Sequence, residues 1–588
     1  MTTTHSDSGR QHVSRQQERD LQQLSPFELK SKLIELAEQQ QQASVASMLN
    51  AGRGNPNWTA TTPRAAFFLL GRFGLEEARR DWDEWPGLGG MPAKDGIAAR
   101  LGAFLDDNDS DPGADLLRRA VEYGTGKLGL DADTFVHELT DGIIGDNYPV
   151  PDRMLRCAER VVHTYLVKEL CDGKPPRAPY DLFATEGGTA AMCYIFDTLV
   201  TNRLLHQGDK IAIMAPIFTP YLEIPRLDRY NLDVLELQAN RTSQDGFHTW
   251  QYPDSELDKL ADPSVKALFL VNPSNPPSVM LAPESLERIA RIVESTNREL
   301  IVITDDVYGT FVSGFRSLLS VVPRNTIGVY SFSKYFGCTG WRLGVVAVSE
   351  DNLFDELLAR LPEADQAGLA ERYESISLEP AKLKFIDRMV ADSRQVALNH
   401  TAGLSLPQQV QMTLFALSAL LDEKDAYKQA TRAIIARRLH ALTKGMGVTL
   451  PEDPLRAAYY AELDLLAWAE RHWGKDFADY MRANYEPTDM VFRLAEQGSV
   501  VLLNGGGFDG PEWSVRVSLA NLPMEAYERI GHWLADLGQE YHQAWRDQMA
   551  GNGNGKGNGR SDGSGNASNG SKGSDGSKVR GSNGAKRR

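Results

Sequence analysis

Little in this 588-residue chain points to a metal, a membrane or a disulfide framework. It holds four cysteines, Cys157, Cys171, Cys193 and Cys338, and no C-x-x-C pair, so reduced thiols in a cytoplasmic protein are expected. The histidines show no H-E-x-x-H or other ligand spacing, and no catalytic metal is expected. No apolar run is long enough to span a bilayer. The first twenty residues, MTTTHSDSGRQHVSRQQERD, lack the apolar core of a secretory signal. Basic charge is scarce too. The net charge is −16, and residues 551–588 carry eight Lys/Arg against two Asp, which leaves −22 on the remainder. An acidic body speaks against nucleic acid as a partner.

What is present is the composition of a globular protein, 42% hydrophobic and 24% charged, long enough for two or more domains. Residues 1–24 are polar and Gln-rich, and disorder is expected there. Ser25-Pro26-Phe27-Glu28 reads as a capping box with proline at the first helical position, opening an amphipathic helix over 26–42. A Gly/Pro-rich loop, 50–58, follows, within a first segment of 25–149. From residue 150 to 350, helical stretches alternate with short apolar runs: Ile211–Met214, Ala267–Val271, Leu300–Thr304, Ile327–Tyr330 and Leu343–Ala347. Runs of this kind are strands buried on both faces, and their spacing suits helical crossovers, so an α/β domain with a mostly parallel sheet is predicted. Residues 351–404 read as a charged helical insertion. Residues 405–548 read as α+β, with strands near 499–503 and 513–519 before a last helix. The Gly/Asn/Ser-rich tail, 551–588, lacks the apolar residues to offset its ordering entropy.

Ser331 to Gly344 reads SFSKYFGCTGWRLG. Lys334 sits in a small-residue turn after a buried strand, and Arg342 follows eight residues on. A lysine amine in such a turn suits a Schiff base with pyridoxal 5'-phosphate, with Ser331, Ser333 and Arg342 around the phosphate. Gly187, Gly188 and Thr189 precede a helical run, where free N–H groups and the helix dipole favour an anion. Asp305 and Tyr308 follow a parallel strand, at the edge where open α/β sheets bind ligands. There a carboxylate can pair with a protonated pyridine nitrogen and a phenol can donate to the ring oxygen. Asn275, in Asn272-Pro-Ser-Asn-Pro-Pro277, either bonds that same oxygen or merely stiffens an Asn/Pro turn. Phe218 either stacks on the ring or packs in the core. Arg516, mid-strand in Trp513–Leu519, needs an anion, whether a substrate carboxylate or an internal partner. Arg53, in the glycine loop, is either an anion contact or a solvated loop arginine.

Together these motifs resemble the fold-type I pyridoxal phosphate enzymes of the class I/II aminotransferase branch, in the family's usual order. The resemblance implies a large domain with a mostly parallel seven-stranded sheet, and a smaller α+β domain formed by the N- and C-terminal parts. It implies Lys334 as the cofactor lysine, Asp305 for the pyridine nitrogen and Tyr308 and Asn275 for the ring oxygen. Phe218 would stack on the ring, and Gly187, Gly188, Thr189, Ser331 and Arg342 would form the phosphate cup. Arg516 would take the substrate α-carboxylate. Tyr148, in Asp146-Asn-Tyr-Pro149, would reach the phosphate of a neighbouring subunit. Departures such as Asn275-Pro-Pro-Ser278 and Cys338, with the segments LNAGRGNPNW, SPFELK and NPSNPPS, look like the aspartate 4-decarboxylase group. Members of that group convert L-aspartate to L-alanine and CO2 and retain aspartate aminotransferase activity with 2-oxo acids such as pyruvate. Arg53 and Gly54 would then help hold substrate, in a homodimer at least; assemblies up to dodecamers occur in the group. The 351–400 stretch and the N-terminal helix would be the assembly surfaces. A plain aminotransferase is the nearest rival, and a regulatory protein with a pyridoxal phosphate domain the distant one.

Overall fold

The computed structural model describes residues 13–43, 48–80, 82, 85–148, 153–394 and 403–554. They fall in two units, Met1–Gln539 and Glu540–Arg588, and every residue of the site belongs to the first. Within the stretch expected to be disordered, a capping box between Ser14 and Gln17 starts a helix, α1 (Arg15–Leu21). Arg15 and Arg19 of that helix both reach Glu486, at 2.6 and 2.9 Å. This tether to a distant part of the chain is invisible to local composition. Helix α2 (Pro26–Ala43) starts at the proline as predicted. It buries Leu29, Leu33, Leu36 and Ala37 and packs on the helix Asp489–Gly498. Strand β1 (Leu49–Asn50) then pairs in parallel with Val500–Val501, which ties the glycine loop to the C-terminal region.

Helices α3 (Thr61–Arg80), α4 (Ile97–Asp107), α5 (Ala114–Gly126) and α6 (Ala132–Ile144) pack on one another. Both α3 and α6 also pack against Leu406–Leu420, which in turn covers α7 (Arg156–Leu170).

The central sheet is built from β2 (Tyr180–Thr185), β3 (Lys210–Ala215), β4 (Asp233–Gln238), β5 (Val265–Val271), β6 (Ile301–Asp305), β7 (Thr326–Ser331) and β8 (Gly344–Ser349), in the order β2-β8-β7-β6-β5-β3-β4. The neighbours from β7 through β4 are parallel, and β8 runs against both of its partners. The mostly parallel seven-stranded sheet is therefore as the resemblance implied. The five apolar runs became β3, β5, β6, β7 and β8. Strand β2 escaped the apolar pattern because Asp181 interrupts it; that carboxylate is buried between Arg153 and Lys384, each at 2.8 Å. Helix α8 (Gly188–Thr201) follows β2.

A smaller antiparallel sheet, with β10 (Val500–Val501) beside it in the chain, has the order β11-β12-β9 from β9 (Tyr460–Asp464), β11 (Leu503–Asn504) and β12 (Ser514–Ser518). Strand β9 was not foreseen. The last helix is Met524–Asn554 and so extends four residues into the stretch read as tail; residues 555–588 lie outside the described residues, as do 1–12, 149–152 and 395–402. Among the described residues no helix is long and apolar enough to cross a membrane.

Candidate active site

Strands β2, β3, β5, β6 and β7 point the same way, so the segments after them gather at one sheet edge, where open α/β sheets hold ligands. After β2 comes Gly187-Gly188-Thr189, and after β3 come Phe218 and Tyr221. Strand β5 leads to Asn275, β6 to Asp305 and Tyr308, and β7 to Ser331, Ser333 and Lys334. All but Gly187 line a cavity of about 250 Å³ whose wall also includes Gly54, Arg342 and Arg516. A larger cavity of about 580 Å³ lies behind β9 and holds none of the predicted site residues. The smaller one carries the chemistry.

Lys334 Nζ donates to the Gly54 carbonyl at 3.1 Å, and the Tyr459 hydroxyl donates to the same oxygen at 2.9 Å. Asp305 is buried; its Oδ2 accepts from the Tyr221 hydroxyl at 2.7 Å and its Oδ1 from the Val307 N–H at 3.2 Å. Burial pushes its carboxyl up to about 6, against the pull of these bonds and of Lys334. Its neighbour Asp306 serves the core instead, accepting from Thr304 and Ser317. Asn275 donates to the Tyr308 hydroxyl at 3.4 Å and accepts from Arg516 at 3.3 Å. Phe218 meets Phe27 and Tyr221 edge to face, at 5.7 and 5.3 Å between centroids.

The anion cup is shaped by glycine. Gly187 has φ of 94°, and a Cβ there would lie 2.3 Å from Nη2 of Arg342. The first N–H groups of α8 have no intrahelical acceptor. With Ser331 and Ser333, buried and hydrogen-bonded to each other at 3.0 Å, they make a donor set for a dianion. A lysine amine, a carboxylate for a pyridinium, phenol and amide donors for a ring oxygen and a phosphate cup are what pyridoxal 5'-phosphate requires, and the residues fit it.

Arg516 is 1% exposed. It donates to Asn275 and, at 3.1 Å, to the Gly52 carbonyl, while its Nε has no partner. The alternative of an internal ion pair is not met: among the described residues no carboxylate pairs with it. Its charge lies instead over the rings of Tyr460 at 4.4 Å, Phe508 at 5.0 Å and Phe27 at 5.8 Å.

Not every predicted residue reaches the cavity. Gly187 stands beneath Arg342 rather than on the wall. Arg53 is exposed and off the wall, because the loop turns the carbonyl of Gly54 inward and leaves the preceding side chain outside. Tyr148 is 69% exposed, beyond the end of α6, and does not line the cavity of its own chain. Sequence reasoning missed Phe27, Tyr221, Thr339 and Tyr460, all on the wall, and Lys30 nearby. Burial, then Arg53 and Arg516, push the Lys30 ammonium below its ordinary pKa, so three cations gather at this side of the site. Phe27 and Lys30 carried a signal in the segment SPFELK; Tyr460 carried none, since its strand was unrecognised.

The family model described as aminotransferase class I and II matches residues 180–532, and the chain belongs to that family. Within it, the chain is 49% identical over 529 residues to a bifunctional aspartate aminotransferase and L-aspartate beta-decarboxylase of a Pseudomonas species, covering 90% of this chain and 98% of that protein. Solved structures share the fold. An aspartate aminotransferase from Thermus thermophilus with maleate superposes with a TM-score of 0.53 at 17% identity, covering 90% of this chain and all of that one. An aromatic aminotransferase from Pyrococcus horikoshii gives 0.52 at 19%, covering 84% and 97%.

Proposed function

We propose that this chain is a pyridoxal 5'-phosphate enzyme that removes the β-carboxylate of L-aspartate as CO2 to give L-alanine, and that also transaminates aspartate with 2-oxo acids such as pyruvate. The carrying observation is a buried guanidinium without an anionic partner, Arg516, in the same cavity as the Lys334 amine. That pair suits an amino-acid substrate. Decarboxylation over simple transamination rests on the likeness to the Pseudomonas protein.

Bound here, pyridoxal 5'-phosphate supplies an electron sink for charge developing next to the substrate nitrogen. Lys334 would anchor it, and its amine would take the Cα proton of the substrate as general base. Asp305 would hold a proton on the pyridine nitrogen. Tyr308 and Asn275 donate to the ring oxygen, and Phe218 covers the ring. Gly188, Thr189, Ser331, Ser333 and Arg342 hold the phosphate. Arg516 binds the α-carboxylate, while Arg53 and Lys30 stand off the wall, so the β-carboxylate feels their positive charge without a direct clamp. A loose hold there favours decarboxylation, because the charge must vanish as CO2 leaves and a strong clamp would stabilise the ground state. Tyr148 of one copy completes the phosphate site of another, in a homodimer or larger assembly; a monomeric holoenzyme with full activity would remove that role.

Incubating the holoenzyme with L-aspartate is expected to release alanine and CO2 over many turnovers, with oxaloacetate as the minor product. Oxaloacetate alone, limited to one equivalent unless pyruvate is added, would overturn the decarboxylase reading in favour of a plain aminotransferase.

A further inference from the structure

Tyr460 was silent in the sequence, yet it is a second wall residue, besides Lys334, placed to move a proton. It is buried in β9 and lines the cavity. A Cβ on Gly54 would lie 2.7 Å from its hydroxyl and 3.1 Å from Lys334 Nζ, so both groups border one small space that glycine leaves open. The Tyr308 hydroxyl donates to Tyr460 Oη at 3.3 Å, and among the described residues no acceptor takes Tyr460's own proton. The groups around it are suited to a phenolate: the Arg516 guanidinium lies 4.4 Å over its ring, and Lys334 is the nearby amine.

We propose that Tyr460 is the proton donor to the carbon that loses CO2, which deepens the decarboxylase reading and rests on it. As the Cβ–carboxylate bond breaks, CO2 departs and the electron pair remains to form a C–H bond with the proton of Tyr460. The O–H pair stays on the phenolate oxygen, held by the Arg516 charge 4.4 Å over the ring, and a proton from solvent restores the phenol. The reaction consumes one proton per CO2 released, and this route supplies it. Burial pushes the hydroxyl up, but Lys334, Arg516 and the Tyr308 bond outweigh it and leave Tyr460 more acidic than an ordinary tyrosine.

The test is Tyr460→Phe in the full-length holoenzyme, with Gly54→Ala as a second variant whose methyl group would displace the hydroxyl. Loss of a general acid is worth about 10²–10⁴ in rate. With L-aspartate, Tyr460→Phe is expected to bind cofactor normally, and both variants are expected to raise the oxaloacetate-to-alanine ratio by about tenfold or more. An ultraviolet difference titration of the cofactor-free protein is expected to lose its most acidic tyrosine in Tyr460→Phe, a readout independent of catalysis. A wild-type ratio and rate in both variants, or an unchanged titration, overturns the role. Absence of CO2 from the wild-type enzyme would instead sink the decarboxylase reading itself.

Discussion

Arg516 shows what a single side chain costs and what it is for. A guanidinium at 1% exposure is expensive unless hydrogen-bonded and paired. Here two neutral oxygens and three aromatic faces hold it, and its Nε–H has no partner. On the function proposed above, a substrate carboxylate would supply the missing anion, in the bidentate form that a planar guanidinium alone provides. Arg516→Lys keeps the charge and loses the fork. At about 1.5–3 kcal/mol for a charged hydrogen bond, kcat/KM for L-aspartate is expected to fall about 10- to 100-fold with the cofactor spectrum unchanged, measured by steady-state CO2 release. Arg53→Ala separates the second carboxylate from the first. It is expected to raise KM for L-aspartate while leaving the affinity for L-alanine, which lacks that group, as in the wild type. Equal loss for both ligands would assign Arg53 to the loop's structure instead.

At the scale of elements, the site is a consequence of parallel strands ending together. That much was legible: five runs of buried aliphatic residues marked β3 and β5–β8, and the polar residues just past them marked the cavity's contents. Strands β2 and β9 were illegible for a common reason, since Asp181 in one and Glu462 in the other break the apolar pattern with carboxylates whose partners lie far away in sequence. Strand β4, Asp233–Gln238, hid because it is an edge strand, only partly buried. Missing β9 meant missing Tyr460, whereas Asn275, Asp305 and Lys334 sit at the ends of strands that could be read. The junction of β2 and α8 is where backbone conformation and chemistry meet. Gly187→Ala would force on alanine a φ of 94° with ψ of 169°, a region essentially confined to glycine, at about 1–3 kcal/mol, and drive a methyl group into Arg342. The cofactor-free variant is expected to bind pyridoxal 5'-phosphate at least about tenfold more weakly in an absorbance titration. Unchanged affinity would mean that the helix start and Arg342 are not the phosphate cup.

For the whole molecule, buried carboxylates make stability depend on pH in an unusual direction. Burial raises Asp305 to about 6, Asp306 to about 7 and Glu462 to about 8. Glu462 lies across the sheet from Arg516; its Oε1 accepts from Ser514 at 3.0 Å and its Oε2 has no partner. Asp464 adds to the rise, while the Ser514 bond and Arg516 oppose it. Between the unfolded and folded pKa values the native state holds a proton that the unfolded chain has released. Unfolding stability therefore falls as pH rises through that window, by up to about 1.4 kcal/mol per pH unit for each group. A carboxyl is still half protonated at its folded pKa, so Asp305 and Asp306 lose the last of their contributions within about a pH unit above 6 and 7, and Glu462 carries the slope furthest, through about pH 8. Glu462→Gln keeps an acceptor for Ser514 and carries no ionisable group. In urea unfolding of the cofactor-free protein, the wild type is expected to lose stability between about pH 7 and 8, and the variant to lose measurably less. Parallel curves would show that Glu462 is already ionised in the native protein, with Arg516 near enough to hold its charge.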